Sequence, residues 1–340
     1  MIMLKRVAAF GEVMMRLQVP GYDLLSQGNT LNYSFSGTGV NVISALARFG
    51  HSGQLISRLP ANPLGDAAAT YLRKLGIDSS FVVQGGKYLG LYFLENGFGV
   101  RPSRVTYSNR LESSFNTAPE ETYDFDGIAG AIDAIHFCGI TLAMNEGIRG
   151  QMKSLARAVK QQGGLVIFDC NYRPSLWGED GYAQAKSHYE DMLQLADIVL
   201  MNEKDALFIL GMSTTKEQRE EQLMELIPAV AEQYQISVIA GTHRYIHSDN
   251  SHSLRGFLYK NQSFTFSDML SFSVYDRIGA GDAFTSGIVH GELKGFPPEK
   301  TVRFAAAAGM LAHTVSGDTP LASEEEILRA MTESVGDVER

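Results

Sequence analysis

Apolar residues in this chain come in short unbroken runs, and polar side chains follow them at once. Residues 7–10 lead into Gly11 and Glu12, and Ala134–Cys138, 165–168, 198–201 and 238–240 are similar runs separated by helix-like stretches such as 149–162. Unbroken runs of this kind suit strands buried on both faces, and their alternation with helical stretches predicts a parallel sheet covered by helices. Ligands of such sheets gather beyond the carboxyl ends of the strands. Asp169, Asn171, Asn202 and Thr242 follow these runs and are predicted to share one cleft.

A second pattern frames the first corner of the chain. Asn32–Ser36 alternates as a half-exposed strand does, and Val42, Leu46 and Phe49 mark one helical face ended by Gly50. Gly37 and Gly39 lie between, which makes a strand, a glycine turn and a helix. Residues 91–94 and 104–107 flank a turn-rich segment holding Asn96, Gly97 and Gly99, and they predict a β-hairpin. The Glu-rich segment 323–327 reads as the capped start of a last surface helix. Glu12, delivered by the first run, reads as structural.

Composition narrows the class. With 340 residues and 44% hydrophobic content the chain can bury a large core. The two cysteines, Cys138 and Cys170, fall inside apolar runs, so they read as core thiols in a reducing compartment, and the cytoplasm is the expected location. No stretch reaches the roughly 18 to 20 apolar residues that span a bilayer, and residues 1–6 lead into a strand rather than a signal peptide, so no membrane partner is expected. A net charge of −9 argues against nucleic-acid binding but not against an anionic small molecule, which two well-placed arginines can hold at short range.

The most telling chemistry lies at Asp276, Arg277, Ile278, Gly279, Ala280, Gly281 and Asp282, followed by the small and apolar Ala283 and Phe284. Glycines let backbone approach a ligand, and a helix beginning near Ala283 would aim free N–H groups and its positive dipole end at an anion. Backbone donors from Gly279, Ala280 and Gly281 could hold a transferring phosphoryl group while Asp282 accepts the proton of an attacking hydroxyl, which is kinase chemistry. The alternative is that Asp282 merely caps the helix. Dinucleotide, P-loop and zinc-hydrolase motifs are absent: Val42 stands where a third fingerprint glycine would be needed, and the eight histidines are scattered.

The 276–282 segment resembles the D-T-x-G-A-G-D signature of the ribokinase-like (PfkB) carbohydrate kinases. Residues 36–42 resemble that family's early sugar-binding segment, and Asn202, Glu203, Lys204 and Asp205 resemble its N-x-x-E, in family order along almost the whole chain. The resemblance implies an α/β, ribokinase-like three-layer fold with a mainly parallel central sheet and a small β-sheet lid. It implies one domain over residues 1–340, with the lid built from parts of about 12–36 and 88–116 and pairing two copies into a homodimer. It also implies ATP and Mg²⁺ as cofactors and a monovalent cation such as K⁺ beside the 276–278 backbone.

Within the family, Asp169, Asn171 and Arg173, followed by Pro174, Leu176 and Trp177, are similar to 2-keto-3-deoxygluconate kinases and some fructokinases. D-x-N-x-R at a strand end is expected to set alternating polar side chains on one side. Carried over residue by residue, the resemblance assigns Gly37, Asn41, Tyr92, Tyr107, Arg110, Arg173 and Asp318 to the sugar. To ATP it assigns Asn171, Asn202, Thr242, Arg244, Gly279 and Gly281, and to Mg²⁺, indirectly, Asp205. Tyr92 could equally be strand packing and Asp318 a helix cap. Two arginines at the sugar end favour a sugar acid, with 2-keto-3-deoxygluconate ranked first, over the neutral sugar of a fructokinase or ribokinase. A silent sugar-binding sensor is the alternative of another class. The chain departs from the pattern in three places: one extra residue separates Tyr107 from Arg110, the lysine of K-x-G-x-x-G is missing before Gly241, and Asp205 replaces a glutamate.

Overall fold

The computed structural model describes residues 4–332, so Met1, Ile2 and Met3 of the opening segment lie outside the described residues. In chain order the strands are β1 (Arg6–Phe10), β2 (Met14–Gln18), β3 (Asn32–Ser36), β4 (Ser52–Leu59), β5 (Val82–Gln84), β6 (Gly90–Glu95) and β7 (Arg104–Ser108). They continue with β8 (Ala134–Cys138), β9 (Leu165–Asp169), β10 (Ile198–Leu200), β11 (Val238–Ile246), β12 (His252–Lys260), β13 (Ser263–Phe266) and β14 (Leu270–Phe272). The central sheet runs β13-β12-β11-β10-β9-β8-β1-β4-β5, with β14 paired to β12.

From β11 to β5 every neighbouring pair is parallel, as the apolar runs predict. Successive residues of β1 serve opposite faces. Ala8 and Phe10 enter one core with Met152, Leu155 and Tyr189 from the helices Glu146–Gln161 and Gly181–Leu193, whereas Val7 enters another with Val42, Phe284 and Phe304. Helices on both faces make three layers. Cys138 and Cys170 are buried and unpaired in this core. Among the described residues no helix is long and apolar enough to cross a membrane.

The second sheet has four strands in the order β3-β2-β6-β7. Its β6 and β7 form the antiparallel pair expected from the turn-rich segment between them, and β2 lies parallel to β6. The last helix, Glu324–Ala330, begins with a capping box in which Ser323 and Glu326 bond each other's backbone.

Two expectations are corrected. Strand β11 does not stop at Ala240; it continues through Ile246 because a tight turn with Asn250 at φ 65° returns the chain as antiparallel β12, so Thr242 and Arg244 lie inside a strand. The helix after the glycine turn begins at Ala280 rather than near Ala283, with Gly279 as its N-cap. Asp282 therefore belongs to its first turn.

That helix, Ala280–Lys294, packs closely on the helix Pro298–Ala312, where a Cβ on Gly287 would stand 2.5 Å from Ala305 Cα and 2.9 Å from its Cβ. Alanine is the better helix former by about 1 kcal/mol, yet the backbone here cannot yield without separating the two helices. Gly287→Ala is expected to destabilise by about 1–3 kcal/mol, the range for overpacking, and to lower the melting temperature. A variant that melts at or above the parent would show that the contact is loose.

Candidate active site

Because β1, β8, β9, β10 and β11 run parallel, their carboxyl ends open on one edge, and two clefts lie there. The first, of about 560 Å³, is lined among others by Gly37, Asn41, Tyr92, Tyr107, Arg110 and Asp318. The second, of about 440 Å³, is lined among others by Asn202, Asp205 and Thr242. Asp169, Asn171, Arg173, Arg244 and Gly281 line both.

Two glycines shape the wall. Gly279 adopts φ 81°, and a Cβ there would overlap the Asp318 carbonyl oxygen; a Cβ on Gly37 would overlap the carbonyl of Glu12. Each glycine is the N-cap of a helix, Gly279 of Ala280–Lys294 and Gly37 of Thr38–Arg48, and neither helix has a side-chain cap. The first four N–H groups of a helix lack intrahelical partners, and Gly279, Gly281 and Asp282 of this helix start line the first cleft. Asp282 does not cap this helix. Its Oδ2 accepts a 2.7 Å hydrogen bond from Asn41 Nδ2, and Asn41 Oδ1 accepts from Thr319 at 3.5 Å.

Burial pushes the Asp282 carboxyl up to about 8; the bond from Asn41 and the charge of Arg173 oppose the shift, whereas Asp169 and Asp318 add to it. Burial likewise pushes Asp169 to about 6 and Asp205 to about 7. Asp169 accepts a 3.4 Å bond from Thr285. Asp205 opens a π-helical turn, Asp205–Ile209, that folds its carboxylate back to the Asn202 amide at 2.8 Å. Among the described residues no three metal-ligating side chains converge. Asp169 and Asp205 both line the second cleft and are the carboxylates there that could hold a metal ion.

Among the positions expected to face a sugar, Arg110 is 8% exposed and its Nε donates to Glu12 Oε2 at 3.0 Å, while its Nη1 has no partner. Burial raises the Glu12 pKa and Arg110 opposes that shift. The extra residue between Tyr107 and Arg110 has a structural consequence. Asn109 takes φ 52°, a left-handed conformation asparagine tolerates, and Arg110 lies 4.6 Å over the Tyr107 ring. Tyr92 is buried, with its hydroxyl bonded to Asp318 and, at 3.0 Å, to Ser36. Asp318 also takes a bond from Arg16, so it does not serve merely as a cap.

Asp169 ends β9 and Asn171 turns to φ 34°, so the expected strand alternation through Arg173 stops early, although all three side chains still line the first cleft. Asn171 Nδ2 bonds Cys138 Sγ at 3.2 Å. Arg173, Arg244 and Arg277 line the first cleft, and none has a carboxylate within salt-bridge distance among the described residues. The sequence reading gives Asp169 a place in the cleft and Glu12 a structural part, and it gives Arg277 and Arg16 no role. For Arg277 the signal was its place inside the glycine-turn segment; for Arg16, pairing with residues some 260 to 302 positions away leaves no local signal.

Unfolded, Asp282 titrates near the ordinary 3.8; folded, near about 8. Between those values the folded state binds more protons, so the contribution to stability is full below the lower value, is lost as pH rises, and levels off above the higher one. The ligand-free protein is expected to melt at falling temperature across this window. Asp282→Asn should make the slope shallower and melt higher than the parent above pH about 8. An asparagine variant that melts lower there would contradict the desolvated carboxyl.

Comparisons with known proteins identify relatives of the chain. A model for "pfkB family carbohydrate kinase" matches residues 4–325. The chain is 26% identical over 329 residues to a 2-dehydro-3-deoxygalactonokinase from Haloferax volcanii, covering 97% of each. Among solved structures it resembles a protein from Enterococcus faecalis with the provisional designation 2-keto-3-deoxygluconate kinase, at 38% identity and TM-score 0.94 over 99% of each chain. It also resembles the 2-dehydro-3-deoxygluconokinase of Thermotoga maritima, at 32% identity and TM-score 0.92 over 97% of this chain and 100% of that one.

Proposed function

Because the chain belongs to the pfkB family of carbohydrate kinases, we propose that it uses ATP to phosphorylate the terminal hydroxyl of 2-keto-3-deoxygluconate, giving the 6-phosphate. One observation carries the reading: Gly281 lines both clefts, with Asp282 on the side of the first and Ala280 on the side of the second. A sugar in the first and a triphosphate in the second meet at that wall.

The hydroxyl oxygen attacks the γ-phosphorus, its proton passes to the Asp282 carboxylate, and ADP leaves. A base with a pKa raised toward 8 is well matched to this transfer near neutral pH. Asn41 holds the carboxylate in place. The amides at the helix start receive the charge developing on the phosphoryl oxygens, and the unpaired Arg173, Arg244 and Arg277 balance the incoming phosphates. Asp169 and Asp205 would hold Mg²⁺, which would supply charge neutralisation to the phosphates. Asn171, Asn202 and Thr242 complete the nucleotide side.

Sugar-acid selectivity follows from the arginines. Arg110, steadied by Glu12 and Tyr107, and Arg173 give a carboxylate two guanidinium partners, whereas a neutral sugar leaves them without counter-charge. The names of the similar kinases from Haloferax volcanii and Thermotoga maritima support the same substrate class. In this reading the four-stranded sheet is the lid that excludes water. Tyr33 and Val105, exposed on it, are the residues a second copy would cover in a homodimer.

A coupled ADP-release assay over 2-keto-3-deoxygluconate, its galactonate epimer, fructose and ribose tests class and specificity together. Asp282→Asn should retain the parent's circular dichroism and lose about 10²–10⁴-fold in kcat. Preference for fructose or ribose would overturn the sugar-acid assignment, and near-normal turnover of Asp282→Asn would remove it from the base role.

A further inference from the structure

The loop before the glycine turn, where the family resemblance implies a monovalent cation, is already supplied with a positive charge by the chain itself. Arg16, on β2 of the small sheet, is 1% exposed and is the largest of the fully buried side chains. Its Nη2 donates to Asp276 Oδ2 at 3.0 Å, and its guanidinium also bonds Asp318 and Gln18. The remaining valence of Asp276 is used as well: Oδ1 accepts from the Ile278 amide at 3.1 Å and Oδ2 from the Gly317 amide at 3.2 Å. The main chain ties the same two loops, since the Tyr275 and Asp276 amides donate to the His313 carbonyl at 2.9 and 3.2 Å.

A potassium ion needs several oxygens turned toward one point. Here the carboxylates of Asp276 and Asp318 are turned toward a guanidinium. Burial opposes the Arg16 charge, but Asp318, Tyr92 and Asp276 outweigh it and raise its pKa. The consequence reaches the anion cradle, because Ile278 immediately precedes Gly279, and Gly279 rests on the Asp318 carbonyl. The Asp276 carboxylate, committed to Arg16 and to the Ile278 and Gly317 amides, therefore has no oxygen left over for a bound monovalent cation.

We propose that Arg16 is the permanent cation of this junction: its guanidinium neutralises Asp276 and Asp318, sets the Gly279 loop beside Asp282, and makes the protein independent of added monovalent cations. Arg16 is a positioning residue, acting through the two aspartates. The activity arm of the test rests on the proposed kinase reaction; the melting arm does not.

Melting temperature and ADP release would be compared in potassium chloride and tetramethylammonium chloride at matched ionic strength. For the parent both should be unchanged, with rates agreeing within about twofold, well below the roughly hundredfold scale of a misplaced site. Arg16→Ala should lose about tenfold or more in ADP release, and millimolar guanidinium or potassium, but not tetramethylammonium, should restore part of the rate and raise its melting temperature. A merely structural ion pair would not return activity in a cation-specific way.

The proposal fails if the parent needs potassium or melts higher in it, or if folded Arg16→Ala keeps the parent's rate and ignores all three cations. Should Arg16→Ala not fold, Arg16→Met, which removes the charge but keeps much of the apolar length of the side chain, replaces it under the same criteria. If the parent releases no ADP in any salt, the kinase reading fails while the melting comparison still decides the role of Arg16.

Discussion

The hydrogen bond from Asn41 to Asp282 ties together the two helix starts on which the candidate site depends. Each helix begins at a glycine pressed against a carbonyl from elsewhere, Gly37 on Glu12 and Gly279 on Asp318, so neither start can shift without a backbone clash. The helices also touch behind the site, where Ser286 Oγ bonds the Val42 carbonyl at 3.3 Å. Two sets of unpaired helix amides are thereby fixed relative to one buried carboxylate. Glycine at each start makes this close approach of backbone to backbone possible. The fixed arrangement supplies the pre-organisation that electrostatic catalysis requires.

Charge in this protein is a local matter. A net −9 describes the chain as a whole, yet the cleft edge carries Arg173, Arg244 and Arg277 without carboxylate partners among the described residues, beside Asp169, Asp205 and Asp282, whose pKa values burial raises. Arginines without carboxylate partners at such an edge are free to meet an anionic ligand. Arg16 and Arg110 belong to a different class. Each is buried against carboxylates, and each brings an element of the small sheet or the segment after it to the edge of the central one.

Much of this was legible along the chain. The apolar run Ala134–Cys138 and the alternating segment Asn32–Ser36 match β8 and β3 at both ends, because parallel interior strands and a half-exposed strand leave distinct hydrophobic periods. The glycine turn ending in Asp282 announced itself by composition. Less legible were ends decided by partners. Strand β11 runs on through polar Thr242 and Arg244 because β12 returns beside it, and the helix start moves to Ala280 because Gly279 can take a positive φ against Asp318. Asn109 could be counted as an insertion in sequence; that it turns Arg110 over Tyr107 depends on its left-handed backbone.

By itself, then, the order of residues determined the strands and helices, the parallel sheet and the family, since hydrophobic period and short motifs act over a few neighbouring positions. Only the tertiary structure decided which charges meet. Arg16 with Asp276 and Asp318, Arg110 with Glu12, and Asn41 with Asp282 are pairings across 98 to 302 residues. Their partners are chosen by where strands end in space and by how little water remains there, and neither quantity is written in any local stretch of the chain.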